Sequence, residues 1–211
     1  MALTPDNEYL YSNANLACSS HYLLPAVLDL TQDIPEGSLV ADLGCGNGSF
    51  LAQFRGRGWR LHGFDGSASG IAEAYKAFPG IEFAQVDLIA DLSSLPLAGQ
   101  CDLVLTTEVV EHVFLPRAFA RNCHALLKPG GKLVISTPYH GYLKNLALAI
   151  SGNMDSHFTA LWDYGHIKFW SRRTLGALLA EAGFQVDEFV GCGRLPYLWK
   201  SMVLKATAQA R

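Results

Sequence analysis

Three glycines and three aspartates carry the first chemical suggestion in this chain. In VADLGCGNGSF (Val40–Phe50) glycine recurs at every second position, Gly44, Gly46 and Gly48, directly after an apolar run that ends in Asp42-Leu43. Glycine permits unusual backbone angles and lets a ligand approach the main chain. A helix beginning here would also present free N–H groups. The spacing is G-x-G-x-G, not the G-x-G-x-x-G of a dinucleotide loop, and the Gly-Lys-Ser/Thr of a Walker loop is absent. Asp42 would repel a pyrophosphate but would suit a ligand carrying a positive amine or sulfonium. Asp65 closes the next apolar run, twenty-one residues beyond Gly44. An acid there can accept both hydrogen bonds of a ribose diol. Asp87 closes the third run, between Val86 and Leu88, where a carboxylate can accept from an exocyclic adenine amine. As plain structure, the glycines make a tight turn and the aspartates cap strand ends. Three such acids after three consecutive runs favour a nucleoside-like ligand.

A second group lies in TTEVVEHV (Thr106–Val113), where Glu108, Glu111 and His112 stand at i, i+3 and i+4. On a helix they share one face, and two carboxylates with an imidazole can hold a divalent cation with positions left open. Alternatively they are polar residues beside a ligand pocket. Three of the seven histidines, His140, His157 and His166, fall within one 27-residue segment. An imidazole titrating near neutrality is a natural base for a hydroxyl. His166, in YGHIKFWS, ranks first in that role and His140 second; each is equally readable as a surface or capping residue. The same segment is rich in aromatics: Tyr139, Tyr142, Phe158, Trp162, Tyr164, Phe169 and Trp170. Such residues form an apolar slot with a few polar handles, although Phe169 and Trp170 are expected in a small satellite core.

The elements that must position these groups follow from the apolar pattern. Short runs alternate with helical patterns from Ser38 to Thr137, which predicts an α/β fold with a parallel sheet. The strands are expected at Leu39–Leu43, Arg60–Phe64, Glu82–Val86, Asp102–Thr106 and Lys132–Thr137. Helices are expected near Gly48–Arg55, Ser67–Phe78 and Pro116–Leu127. Runs such as LVADL and LVIST are apolar on both faces, as helices on both sides of a sheet require. One or two helices are expected over Asn13–Thr31 and another over Gly141–Ser151. The latter could touch a membrane or a partner, but packing against the sheet is the stronger expectation for so short and weakly basic a segment. Ser171–Ala182 should be a helix with Ser171 as N-cap and Gly183 just past its end. Phe184–Val190 and Trp199–Thr207 should be two closing strands joined through Gly191–Pro196.

Composition narrows the function classes. The 211 residues are half apolar and 17% charged, with a net charge of −3. This supports a packed core and gives no basic footprint for nucleic acid. No apolar run approaches the roughly 20 residues of a bilayer span, and the beginning, MALTPDNEYLYS, has no secretory pattern. Cys18, Cys45, Cys101, Cys123 and Cys192 are odd in number and contain no C-x-x-C pair. Neither a disulfide framework nor a cysteine zinc site is expected, and a reducing cytoplasm is the simplest location.

The ordered set Asp42-Leu43-Gly44-Cys45-Gly46-Asn47-Gly48, Asp65, Asp87 and LLKPGGKLVIST (Leu126–Thr137) resembles the class I S-adenosylmethionine-dependent methyltransferases. The resemblance is good over Ser38–Thr137 and looser elsewhere. It implies one domain over 1–211, with 1–37 as an N-terminal helical cap and 138–170 as a substrate-side lid. It implies a Rossmann-like sheet of seven mostly parallel strands, order 3-2-1-4-5-7-6 with the last antiparallel, and helices on both faces. It further implies that Asp42, Gly44, Cys45, Gly46, Asp65, Gly66, Asp87, Leu88 and Thr107 hold S-adenosylmethionine, with S-adenosylhomocysteine as product. Tyr139, Tyr142, Trp162 and Tyr164 then wall the substrate. The E-V-x-E-H run is similar to the ubiquinone-biosynthesis O-methyltransferases, which implies a Mg2+ site at Glu108, Glu111 and His112. The expected activity is O-methylation of a hydroxyl on an apolar or aromatic small molecule by a monomer or homodimer. N- or C-methylation and a non-catalytic S-adenosylmethionine-binding subunit are the alternatives; the glycine spacing disfavours a nicotinamide enzyme.

Overall fold

β1 (Leu39–Leu43) is buried along its whole length between two parallel neighbours, β2 (Arg60–Asp65) and β4 (Cys101–Thr107). In the computed structural model, which describes residues 9–163 and 165–210, it lies near the centre of a seven-stranded sheet. The others are β3 (Glu82–Gln85), β5 (Leu127–Pro138), β6 (Phe184–Cys192) and β7 (Ser201–Ala208). Their order is β3-β2-β1-β4-β5-β7-β6, with β7 antiparallel to both neighbours. The order and the reversed last strand agree with the sequence expectation.

Two apolar cores flank the sheet. Alternate residues of β1 divide between them: Leu39, Ala41 and Leu43 face Phe119 and Leu179, while Val40 faces Val27, Leu51 and Phe54. This explains why the central runs carry apolar residues on both parities. The helices are α1 (Ser20–Leu30), α2 (Ala68–Ala77), α3 (Pro116–Leu126), α4 (Tyr142–Ile150), α5 (Met154–Phe158) and α6 (Arg172–Glu181). α6 begins at the expected cap, where Ser171 and Thr174 form a reciprocal capping box. None of the described helices is long and apolar enough to cross a membrane.

Four local expectations are corrected. The segment expected as an α-helix at Gly48–Arg55 is a 3-10 helix over Leu51–Arg57, ended by left-handed Gly58. Of Asn13–Thr31 only Ser20–Leu30 is helical, because the Asn13 and Asn15 carbonyls instead accept hydrogen bonds from the Asn47 side chain at 2.9 and 3.0 Å. Glu108–His112 is a turn. Glu108 has φ 55°, incompatible with a right-handed helix, and the Glu111 carbonyl accepts from the N–H groups of Ile167 and Lys168. Lastly, α4 does not bury its apolar face against the sheet. Its one buried residue is Lys144, while Tyr142, Leu143, Leu146 and Ile150 are exposed.

Candidate active site

The glycine turn is clamped to the neighbouring strand by its own backbone. The N–H groups of Gly44 and Cys45 both donate to the Phe64 carbonyl, at 2.7 and 3.0 Å. Gly46 N–H then donates to Asp65 Oδ2 at 2.7 Å, and Ser67 N–H to Oδ1 at 2.8 Å. Gly44 has φ 92°, and a Cβ there would collide with both methyls of Val109, so the loop lies directly against the 108–112 turn. Asp42, beneath the loop, is buried with Oδ1 lacking any partner. Burial, reinforced by the Asp65 charge, pushes its carboxyl up to about 8. Cys45 is buried beside it, and burial raises its thiol.

Gly66 and Thr107 are half-buried at the carboxyl ends of β2 and β4. Asp87 is exposed after β3, where its side chain accepts from Ile89 N–H at 3.0 Å; the Leu88 carbonyl accepts from Asn122. The expected nucleoside-binding residues thus follow one edge, the carboxyl ends of β1 to β4. Tyr11 joins them without any signal in the motif. Its backbone N–H donates to Ser69 Oγ, and its ring lies where a Cβ on Gly46 would project. Burial, then the Asp65 charge, pushes the Tyr11 hydroxyl far up. Segment 9–15 therefore crosses the glycine turn as a strap.

The acidic turn separates its two carboxylates. Glu108 accepts from Ser136 Oγ on β5 at 2.9 Å and from Ser201 Oγ on β7 at 3.1 Å. Burial raises its carboxyl to about 7 despite those two hydroxyls. Glu111 accepts from Thr137 Oγ1 at 3.0 Å through Oε2, while Oε1 is buried without a partner. Burial first, and the Glu108 charge second, push its carboxyl well up. His112 donates from Nδ1 to the Gly165 carbonyl at 3.2 Å, leaving the lone pair on Nε2.

Among the described residues the group whose ligand atoms converge is Glu111, His112 and His166, one atom of each within 4.8 Å of the others. Glu108 is not in it, so the expected set Glu108, Glu111 and His112 is corrected. Two imidazoles with one carboxylate suit a transition metal, whereas Mg2+ prefers oxygen ligands.

Above the turn lies the histidine-rich segment. The His166 ring is 4.9 Å from His112 and 5.5 Å from Trp162. Burial, and then the neighbouring His112 charge, lowers it to about 4. His140 is buried, stacked on Phe158 and edged by Phe169; burial lowers it to about 4 as well. Phe169 thus serves this cluster and not a satellite core, whereas Trp170 packs inward and donates to the Val110 carbonyl. Tyr139 is buried against Trp199 and borders an open groove of about 480 Å³ with Arg172, Phe189 and Tyr197. Tyr142 is 79% exposed and does not join the site, because α4 turns Lys144 inward instead. Tyr164 lies outside the described residues. Lys144, Asn145 and Ser201 are members that sequence reasoning passed over.

The strand order, the glycine turn and the acids along one edge define the class I methyltransferase fold. A model described as "Methyltransferase domain" matches residues 16–188. A "Ubiquinone biosynthesis O-methyltransferase" of Pseudomonas aeruginosa (strain UCBPP-PA14) is 30% identical over 157 residues, 74% of this chain and 68% of that protein. Its namesake from Caulobacter sp. (strain K31) is 38% identical over 119 residues, 56% of this chain and 47% of its own. Among solved structures, an S-adenosylmethionine dependent methyltransferase from Mesorhizobium loti superposes with a TM-score of 0.68 at 22% identity, covering 87% of this chain and 96% of its own. Magnesium protoporphyrin IX methyltransferase from Synechocystis PCC 6803, with bound SAH, gives 0.65 at 21% identity over 89% and 81%. The chain belongs to the methyltransferase-domain family and is an S-adenosylmethionine-dependent methyltransferase.

Proposed function

We propose that the chain O-methylates a hydroxyl of a small, partly aromatic molecule, with His166 as the base. The convergence of Glu111, His112 and His166 beside a glycine turn that touches the same segment through Val109 carries this reading. The O-methyltransferase relatives support oxygen as the acceptor atom. The donor fits the residues present. The partnerless oxygen of Asp42 and the glycine cradle suit a cationic amino-acid end, Asp65 suits a ribose, and Asp87 with Leu88 suits adenine. Gly66 and Thr107 border the same edge. Tyr11 would cover the bound donor.

The donor supplies an electrophilic methyl on a sulfonium, so the O–C bond forms as the C–S bond breaks and the sulfur is left neutral. This chain's residues hold the acceptor in line and receive its proton. His166 is neutral at pH 7, with its lone pair available to a hydroxyl proton, and the Glu111 carboxyl lies within 4.8 Å of it. Trp162 walls the acceptor on the exposed side, and His140 lies deeper in the segment. Alignment supplies much of the rate, and proton removal adds about 10²–10⁴. His166→Ala should therefore cut turnover of labelled methyl about 100-fold or more while S-adenosylmethionine affinity, by calorimetry, stays within a factor of two. Unchanged turnover would remove His166 as the base.

A further inference from the structure

α4 is inverted: it buries its only charged side chain and leaves its apolar ones in water. Lys144 is 6% exposed, whereas Ile150 on the same helix is 79% exposed. A helix of this composition normally does the reverse, and an ammonium is costly to bury without a partner. Yet the one acceptor that Lys144 Nζ meets is a neutral group, the Lys200 carbonyl at 3.3 Å. None of the ion pairs among the described residues includes Lys144, Arg194 or Lys200. Glu108 is the anion that acts on Lys144, opposing Arg194, but its oxygens accept from serine hydroxyls and it makes no direct ion pair with Nζ among the described residues.

The surroundings of Lys144 add positive charge and polar side chains. Arg194, on the β6–β7 loop, acts on both Lys144 and His157. Burial, followed by the Arg194 charge, lowers Lys144 to about 8. Beside it the buried His140 ring interacts with the Asn145 side chain, and a neutral imidazole can place a donor on one ring nitrogen. The aromatic rings of Phe158 and Phe169 close round His140 at 5.7 and 5.0 Å. What this corner lacks, among the described residues, is an anion in direct contact with the Lys144 ammonium.

We propose that the acceptor molecule carries an oxyanion, carboxylate or phosphate, and that Lys144 and His140 hold it, with the Arg194 charge adding to the attraction, while its hydroxyl faces His166. This rests on the methyl-transfer reading and adds a substrate class to it. Lys144 acts as a specificity residue: it attracts the charged group and excludes neutral isosteres by leaving its own ammonium unpaired when they bind.

The test uses the full chain loaded with S-adenosylhomocysteine and titrated calorimetrically with 3-hydroxybenzoate, 3-hydroxyphenyl phosphate and the neutral 3-hydroxybenzamide. At least one anion should bind about tenfold or more tightly than the amide, as a charge-assisted pair implies, and whichever anion binds tighter identifies the oxyanion. Lys144→Met should erase that preference with S-adenosylhomocysteine affinity unchanged, and Lys144→Arg should keep part of it. Arg194→Ala, at an exposed position that leaves the core intact, should reduce the preference severalfold. Equal binding of amide and anions, binding of none, or a preference that survives Lys144→Met would overturn the proposal. The methyl-transfer reading fails separately, in the preceding titration with S-adenosylhomocysteine alone.

Discussion

The two halves of the site are built on opposite principles. On the donor side, main-chain groups are satisfied in advance: Gly44, Cys45, Gly46 and Ser67 all spend their N–H groups on Phe64 and Asp65. On the acceptor side the binding groups are side chains, with Glu111 Oε1 buried and unpartnered as Asp42 Oδ1 is beneath the glycine turn. The first half is a rigid cradle whose shape does not depend on its ligand. The second presents side chains that an incoming molecule can pair with, and buried groups left unpaired by a wrong ligand are what make a pocket selective.

The largest effect that separates the halves is expected from Asp65→Ala. Removing a carboxylate that organises the turn and suits a ribose should weaken S-adenosylmethionine by about 100-fold or more, on two charge-assisted bonds of about 1.5 kcal/mol each. Acceptor binding should stay unchanged; a parallel loss of both, by calorimetry, would mean the halves are not independent. Next comes Glu108, raised from 4.5 to about 7 by burial. The folded chain holds that proton more tightly than the unfolded one, so its stabilising contribution is complete below about 4.5 and is lost as pH rises through about 7. Glu108→Gln should therefore be more stable than the parent at pH 8 by about 2–3 kcal/mol, and indistinguishable near pH 4, in urea unfolding. A constant difference across pH would show that Glu108 is not held protonated by its surroundings. The smallest effect belongs to the outer face of α4. Ile150→Ser should change stability by less than about 0.5 kcal/mol, since the side chain is 79% exposed. A larger loss would show that this face is covered.

The central strands were legible because apolar runs mark them, and Asp42, Asp65 and Asp87 were placed at or near their carboxyl ends, where the structure has them; the sheet order came from the family resemblance. The acceptor half was not legible, because its geometry comes from tertiary contacts that override local spacing. The i, i+3, i+4 pattern of Glu108, Glu111 and His112 suggests a helix, yet Val110 and Val113 are drawn into the core and the Glu111 carbonyl bonds to residues 167 and 168. That turn sends Glu108 towards β7 and Glu111 towards His166. Likewise Gly141–Ser151 reads as a short, weakly basic apolar helix, and only the Lys200 carbonyl, 56 residues from Lys144 in sequence, reveals which side faces in. Tyr11 belongs to a segment without periodicity, held by scattered hydrogen bonds to Ser67, Ser69, Asn47 and Ser49.

The paired N–H groups of Ile167 and Lys168 on the Glu111 carbonyl have a consequence for how such an enzyme can diversify. They stitch the strand of chain bearing the imidazole to the residue bearing the acid through backbone alone, while Leu161, five residues before His166, is 98% in solvent. On the proposed reading, His166 and Glu111 keep their spacing when the stretch around Leu161 is rewritten, so that acceptors can change while the proposed base stays in place.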